Sequence, residues 1–466
     1  MPDVVVVGGG ITGLAAAWFL REAEPGLAIT LVESAPRLGG RIGTTQWLGV
    51  PVEVGPDTFL ARVPGALELC RALDLGDDLV APAVSRALLW TRGRLRSFPE
   101  GHMLGVPARL GPVARSGVLS PAGLLRTSLD LVLPRRRLGP DPSVADVVAA
   151  RFGREVVDRL VDPLLGGVHA GSTERLSLAS VAPAVAEAAD RSRSLLLALR
   201  STASPSARSD ERTPRPVFLS VRGGLGRLVE RLRERLDGVD VRLETQVEGL
   251  SRTGNGAWRV SLAGGPDLEA SAVMLAVPAF AAAALLRTLS ADAAAELGSV
   301  RHASVVTVTF AYRGGAVPHL PAASGFLVPA VDRRLMTACT FLTQKWPDLA
   351  RSGRVLFRAS AGRATDERAM ELDDQTLATK LHGELEQAVG LRDEPEDFRV
   401  VRWERAFPQY ECGHRDRVAR IEEVLRVAAP GLTLAGAAYH GLGIAACVRD
   451  AEQAAVRTAK ELAARS

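Results

Sequence analysis

Cysteine is scarce and scattered in this chain: four in 466 residues, at positions 70, 339, 412 and 447, with no C-x-x-C pair. Zinc ribbons and disulfide frameworks both need cysteines at short, repeated spacings. Neither is expected here, no metal site is predicted, and the pattern points to a reducing cytosol, with most of these cysteines serving as small core residues. Lysine is scarcer still, with Lys345, Lys380 and Lys460 the whole complement, so arginine carries the positive charge. The formal net charge is only +4, which makes no case for nucleic acid as a partner. No apolar run reaches the ~18–20 residues that a membrane span needs. The valine run near the start lacks the basic flank and small-residue cleavage site of a signal peptide, and reads as a buried strand. There is no fixed-period repeat, no Ser-His-Asp grouping and no paired carboxylates, so no nucleophile with its base can be nominated.

What is present is a long, apolar chain. At 466 residues and 47% hydrophobic composition it exceeds one hydrophobic core, so two or more domains are expected. The first sixty residues read as strand, turn, helix, strand and an extended segment. From Ser85 to Arg137 short apolar pieces are cut by glycine and proline, with ten arginines against two acids, Glu100 and Asp130. Residues 143–200, for example "SVADVVAARFGREVVDRLVDPLL", carry apolar positions at three- and four-residue spacing and read as mainly helical. The polar, proline-rich "STASPSARSDERTPRP", 201–216, reads as a mobile surface loop. Then "FLSVRGGLGRLVERLRERL" predicts a strand, a glycine turn and an amphipathic helix, and several β-branched or alternating runs predict further strands. The closing "GLTLAGAAYHGLGIAACVRDAEQAAVRTAKELAA" predicts a strand, a glycine-rich turn and a long last helix.

The opening "VVVVGGGITGLAAAWFL" places Gly8, Gly10 and Gly13 as G-x-G-x-x-G between a strand and a helix. Gly8 permits the tight turn, Gly10 lets backbone approach a pyrophosphate, and Gly13 lets helix pack on strand. The helix start, with Gly9, Ile11 and Thr12, offers free N–H groups to phosphate. Twenty residues beyond Gly13, "ITLVES" ends a second strand with Glu33 and Ser34; an acid there accepts ribose hydroxyls and repels the 2′-phosphate of NADP. Next comes "RLGGRIGT", where Gly39 and Gly40 allow a second close pass and Arg41 can neutralise pyrophosphate.

On these residues the chain resembles the GG-doublet flavoproteins of the amine oxidase superfamily. That resemblance implies FAD, tightly bound and non-covalent, rather than a visiting nicotinamide. The turn with Gly443, Ile444 and Ala445 fits, since a helix N-terminus there can face the flavin edge where negative charge develops. Val247, which the residue pattern alone makes a buried strand position, would touch the adenine. Four stretches narrow the resemblance: "VEVGPDTFLAR" (52–62), "DPLLGGVHAGSTERLSLASVAP" (162–183), "FLSVRGGLGRLVERL" (218–232) and "RWERAFPQYECGH" (402–414). They are similar to porphyrinogen oxidases, nearly end to end. The implied fold is α/β plus α+β: a discontinuous Rossmann-like FAD-binding domain of the GG-doublet amine oxidase type (1–60, 217–284 and 427–466), a mixed-sheet substrate-binding domain (61–84 and 285–426), and a helical module at the substrate mouth (85–200) that faces the membrane in relatives. Gly55, Pro56, Asp57 and Thr58 would lie along the flavin, with Trp403 near it, and Gly167 and Gly171 against the substrate.

The "GPDTFL" form, with Asp57 where animal and plant protoporphyrinogen oxidases carry arginine, resembles the Gram-positive type that takes coproporphyrinogen III. That substrate bears four propionates, and arginines 86, 92, 94, 96, 109, 115 and 126 are candidate partners, one or two of them in contact, with Arg94 the nominee. True amine oxidases carry a lysine where "LGSVRHASVVTV" has Arg301 and His302. The expected reaction removes six electrons in three hydride steps, with O2 as acceptor and H2O2 released. Asp57 is the best candidate for a polar role near the ring, and no catalytic base is assigned. The alternatives are a protoporphyrinogen IX oxidase, more distantly an amine oxidase or carotenoid-type desaturase, and a flavin-less binding protein on the same fold. The expected location is cytoplasmic. The 85–137 stretch reads either as a peripheral contact with an anionic membrane face or as a cover for the substrate mouth, and hand-over of product to a ferrochelatase-type enzyme is among the partners to consider.

Overall fold

Four consecutive valines suit a strand buried on both faces, and Val4–Val7 is that strand. Val4 and Val6 enter one apolar cluster, Val5 and Val7 another on the opposite face, as the two-residue period of a strand requires. The computed structural model describes residues 2–134, 136, 138–203, 216–317 and 319–464. The chain forms two compact units, one of residues 1–81, 215–301 and 415–466, the other of 82–214 and 302–414.

In the first unit Val4–Val7 is central to a five-stranded parallel sheet, in the order Asp240–Arg242, Ile29–Val32, Val4–Val7, Ala272–Leu275, Leu432–Leu434. One face is covered by the helices Ile11–Ala23, Gly226–Glu234 and Ile444–Ala463, the first and last packed on each other through small residues such as Ala15–Ala17, Ala451 and Ala454. The other face carries the antiparallel sheet Val247–Arg252, Trp258–Leu262, Leu268–Ala270 and the helices Ala279–Leu286 and Ala291–Gly298. Residues 239–253, "VDVRLETQVEGLSRT", divide between the two sheets. Residues 61–81, 285–301 and 415–426, expected with the substrate-binding part, lie in this unit.

The second unit is built on a seven-stranded mixed sheet in the order Asp397–Pro408, His302–Arg313, Arg354–Ala361, Met336–Phe341, Gly325–Leu327, Ala87–Thr91, Arg94–Ser97. Only Gly325–Leu327 with Ala87–Thr91 is a parallel pair. Phe310, Phe326, Phe341, Phe357 and Tyr312 form the aromatic centre of its core. A separate helical core gathers Val144–Phe152, Val157–Gly166 and Pro183–Arg191. Within 85–200, expected to be helical, helix begins only at Leu110; before it, Ala87–Thr91 and Arg94–Ser97 form a hairpin whose left-handed turn holds Arg92 (φ 54°) and Gly93 (φ 74°). The proposed loop at 201–216 falls largely outside the described residues; 201–203 close the helix Leu195–Ala203. Among the described residues, no helix is long and apolar enough to cross a membrane.

Candidate dinucleotide site and second-unit cluster

The glycines of the first turn are required by contact. Gly8 has φ +107°, and a Cβ there would lie 2.6 Å from the Ala276 carbonyl oxygen. A Cβ on Gly13 would lie 1.8 Å from the Gly8 oxygen, so helix and strand touch backbone to backbone. Gly10 is different: it caps the helix with φ −70°, and a Cβ on it would meet nothing within 4 Å. The helix has neither a side-chain cap nor an acid in its first turn, so its leading N–H groups are left for an external acceptor. The final helix repeats this arrangement. Gly443 caps it at φ +100° with open space around it, no side chain caps it, and Ile444 and Ala445 are buried behind.

The GG doublet lies on the first turn. Gly39 N–H donates to the Gly9 oxygen at 2.8 Å, Gly39 and Gly10 form an isolated parallel bridge, and a Cβ on Gly40 would come within 3.1 Å of the Gly10 Cα. Arg37 holds this loop from the other side, donating to the carbonyls of Gly40 (2.7 Å), Ile42 (2.9 Å) and Leu38 (3.3 Å). Glu33 accepts from Gly9 N–H at 2.6 Å and from Ala35 N–H at 2.8 Å, with the exposed Ser34 hydroxyl at 3.3 Å. Arg41 has no acidic partner among the described residues, and burial lowers its pKa against the smaller opposing effect of Cys447. A half-buried cation beside two open helix N-termini fits a dinucleotide pyrophosphate, which would supply the missing counter-charge.

Other predicted site residues are distributed more widely. Gly55, Pro56, Asp57 and Thr58 form the turn after the strand Val50–Glu53 in the first unit, with the Thr58 hydroxyl 3.5 Å from Asp57 Oδ1. Val247 opens its strand half-buried rather than buried, on an edge strand and paired with Leu262 just before the register shifts at Gly249. Trp403 belongs to the second unit's sheet, opposite Val305. Sequence reasoning missed Arg37, and also Thr44 and Glu53. Thr44 Oγ1 donates to Glu53 Oε2 (2.9 Å) and accepts from Gly226 N–H (2.9 Å), which fastens the 44–53 hairpin to the Gly226 helix. The signal for Thr44 and Glu53 is a tertiary one, invisible to spacing, whereas Arg37 binds carbonyls within five residues of itself.

In the second unit, 162–183 and 402–414 meet. Ser177 N–H donates to the Tyr410 oxygen (2.8 Å), Cys412 N–H to the Arg175 oxygen (3.0 Å), and Gln409 Nε2 to the His169 oxygen (3.0 Å). The helix Val157–Gly166 is wound in wide π turns around Pro163, an irregularity often found at functional sites. It carries the buried Asp162, 3.3 Å from Arg363 Nη1 and 3.4 Å from Thr173 Oγ1. Burial raises the Asp162 carboxyl, offset in part by Arg363. His169 is 7% exposed, burial lowers its pKa to about 4, and its Nδ1 has no partner among the described residues. Gly167 is exposed with open space at its Cα. Gly171 is closed instead: a Cβ there would lie 2.5 Å from Gln409 Oε1, so protein packing accounts for that glycine.

The candidate arginines separate by what they touch. Arg126 donates to the carbonyls of Ala149, Ala150 and Arg151 at 2.8–3.1 Å, closing the C-terminus of Val144–Phe152. It is a helix cap, which corrects its place among substrate partners. Arg92 pairs with Glu155, and Arg86 reaches Ser97 Oγ at 3.3 Å. Arg109 lies along Gly101, and Arg115 is exposed at the end of Leu110–Ser116. Arg94 and Arg96 have no carboxylate partner among the described residues. Burial lowers the pKa of Arg96, as do its neighbours Arg94, Arg92 and Arg159, and its Nε is buried with no acceptor among the described residues.

Residues 11–462 match the family described as flavin containing amine oxidoreductase. The chain is 34% identical to the coproporphyrinogen III oxidase of Bacillus subtilis (strain 168), over 98% of its own length and 97% of that protein's. It is 31% identical to the protoporphyrinogen oxidase of Bos taurus, covering 97% and 98% of the two chains. A crystal structure from Exiguobacterium sp. 255-15 superposes with a TM-score of 0.88 at 31% identity, covering 98% of each chain.

Proposed function

Because the chain belongs to the flavin containing amine oxidoreductases, among the porphyrinogen oxidases, we propose that it oxidises coproporphyrinogen III to coproporphyrin III. Six electrons leave the macrocycle, three O2 are consumed and three H2O2 released. The observation that carries this reading is end-to-end similarity to a coproporphyrinogen III oxidase. The packing of 162–183 against 402–414 agrees with it. The similarity to a protoporphyrinogen oxidase keeps protoporphyrinogen IX as the second reading.

The nucleotide in this reading is FAD, held without a covalent bond. Burial raises the pKa of Cys447 to about 11 and that of Cys70 to about 12, which leaves both thiols poor nucleophiles for attachment. A bound flavin supplies the hydride acceptor and passes electrons to dioxygen. Gly8–Gly13 and Gly40 let backbone approach the pyrophosphate, Arg41 neutralises it, and Glu33 keeps lone pairs for the ribose. The Gly443–Ala445 N-terminus stabilises charge at the flavin edge. Gly55–Thr58 and Val247 complete the proposed cofactor contacts of the first unit. Arg94 and Arg96 offer unpaired guanidinium forks to propionates, and the exposed Gly167 offers a flat surface to the ring. The protein acts in the cytoplasm; the exposed Leu125, Val132 and Leu133 favour peripheral membrane contact, and the porphyrin product suits a ferrochelatase-type acceptor.

The test is aerobic turnover of coproporphyrinogen III by the purified yellow protein. Porphyrin fluorescence should appear with three H2O2 per porphyrin. A colourless preparation, with no flavin released on denaturation, would reject the enzyme reading.

A further inference from the structure

The turn ahead of the final helix is made of backbone that holds itself poorly. Gly436, Gly441 and Gly443 have φ of +133°, +152° and +100°, and glycine in such regions loses the most freedom on ordering. A chain of polar contacts fixes it from outside. Gly436 N–H donates to Asp450 Oδ2 at 2.7 Å, and Asp450, 2% exposed, lies on the final helix. The other Asp450 oxygen is 2.8 Å from His440 Nδ1, and His440 Nε2 is 3.3 Å from Glu422 Oε1 on the helix His414–Ala428. An imidazole with a carboxylate at each nitrogen is a double donor, hence a cation. One ring thus ties the glycine turn to two helices of the first unit.

We propose that His440 is a positioning residue. As an imidazolium it clasps Glu422 to Asp450, and so holds the 436–443 turn and the Ile444 helix N-terminus in the conformation that receives the dinucleotide. This rests on the flavin reading for its purpose, but the clasp itself is independent of it. The charged and titratable groups around the ring are Glu422 and Asp450, with Arg457 acting on Glu422, the buried Tyr439 hydroxyl near both acids, and Cys447 near Asp450. The two carboxylates raise the His440 pKa to about 9 against the cost of burial. The clasp is therefore closed at neutral pH and opens as pH rises through about 9.

The test is amide hydrogen exchange of residues 436–443 in flavin-free protein, paired with flavin dissociation from the loaded protein, for the unmodified chain, H440Q and H440K. At neutral pH, H440Q should exchange about tenfold faster in this turn, the size expected from losing charge-assisted hydrogen bonds, and should release flavin faster. The unmodified chain should acquire the same behaviour between pH 8 and 10 after correction for intrinsic exchange. H440K, which stays charged longer, should shift that transition upward. Identical protection in H440Q and the unmodified chain, or an unmodified profile flat through pH 10, overturns the proposal. If H440Q does not fold, the unmodified pH profile decides alone. Protein that never binds flavin rejects the proposed function, while the exchange profile still decides the clasp.

Discussion

At Gly13 a methyl group has nowhere to go, since the nearest atom to its Cβ would be a backbone oxygen 1.8 Å away. Gly13→Ala should therefore cost at least ~1–3 kcal/mol, read by urea unfolding, and should abolish flavin binding with it. Gly10→Ala separates space for protein from space for ligand. Its Cβ would enter open volume at an ordinary φ of −70°. Flavin-free stability should hold within ~0.5 kcal/mol while flavin occupancy falls. Equal losses of stability in both variants would mean that the volume beside Gly10 serves folding rather than a ligand. The glycine motif, Glu33 and Arg41 were legible because their constraints are local: a tight turn, a close approach and a strand end. Thr44 and Glu53 were not, since each acts on backbone brought in by tertiary folding, and Arg37 was missed although the carbonyls it binds lie within five residues of it.

At the scale of elements, the arginines divide into caps and free forks. Arg126 satisfies three carbonyls at a helix C-terminus, where a cation also meets the negative end of the dipole. Arg126→Ala should lower stability by about 2 kcal/mol with little change in substrate KM. Arg94→Ala combined with Arg96→Ala should do the reverse, leaving stability nearly unchanged and raising coproporphyrinogen KM roughly fivefold, on the scale of ~1 kcal/mol for an ion pair. An unchanged KM in the double variant would remove the propionate assignment. Sequence reasoning could cluster these arginines but could not sort them. Whether "RLRS" pairs as a strand depends on the turn formed by Arg92 and Gly93 and on the Gly325–Leu327 strand that meets Ala87–Thr91 from far along the chain.

Across the whole molecule, two histidines give stability opposite dependences on pH. Burial lowers His169 of the second unit to about 4, below its ordinary 6.5. Its neutral-state stability is full above 6.5 and lost as pH falls towards 4, by about 3 kcal/mol in total. His440 of the first unit is raised to about 9, so its contribution is full below 6.5 and lost as pH rises through 9. Acid should weaken the second unit and alkali the first, resolved by hydrogen exchange in 162–183 against 436–443. His169→Phe should shrink the acid arm, leaving the smaller part that burial of His102 contributes, and should not touch the alkaline arm.

The overall architecture was legible because parallel, doubly buried strands write themselves as unbroken apolar runs, as Val4–Val7 does. The site on the second unit was legible only as resemblance. The buried Asp162–Arg363 pair and the His169 ring, whose Nδ1 has no hydrogen-bond partner among the described residues, lie on or just after a helix wound in π turns around Pro163, which no periodicity announces. What the whole molecule oxidises is tested most directly by mixing it anaerobically with coproporphyrinogen III or protoporphyrinogen IX and following flavin bleaching. Faster reduction by coproporphyrinogen III is the predicted result. Reduction by protoporphyrinogen IX at an equal or greater rate would contradict the account.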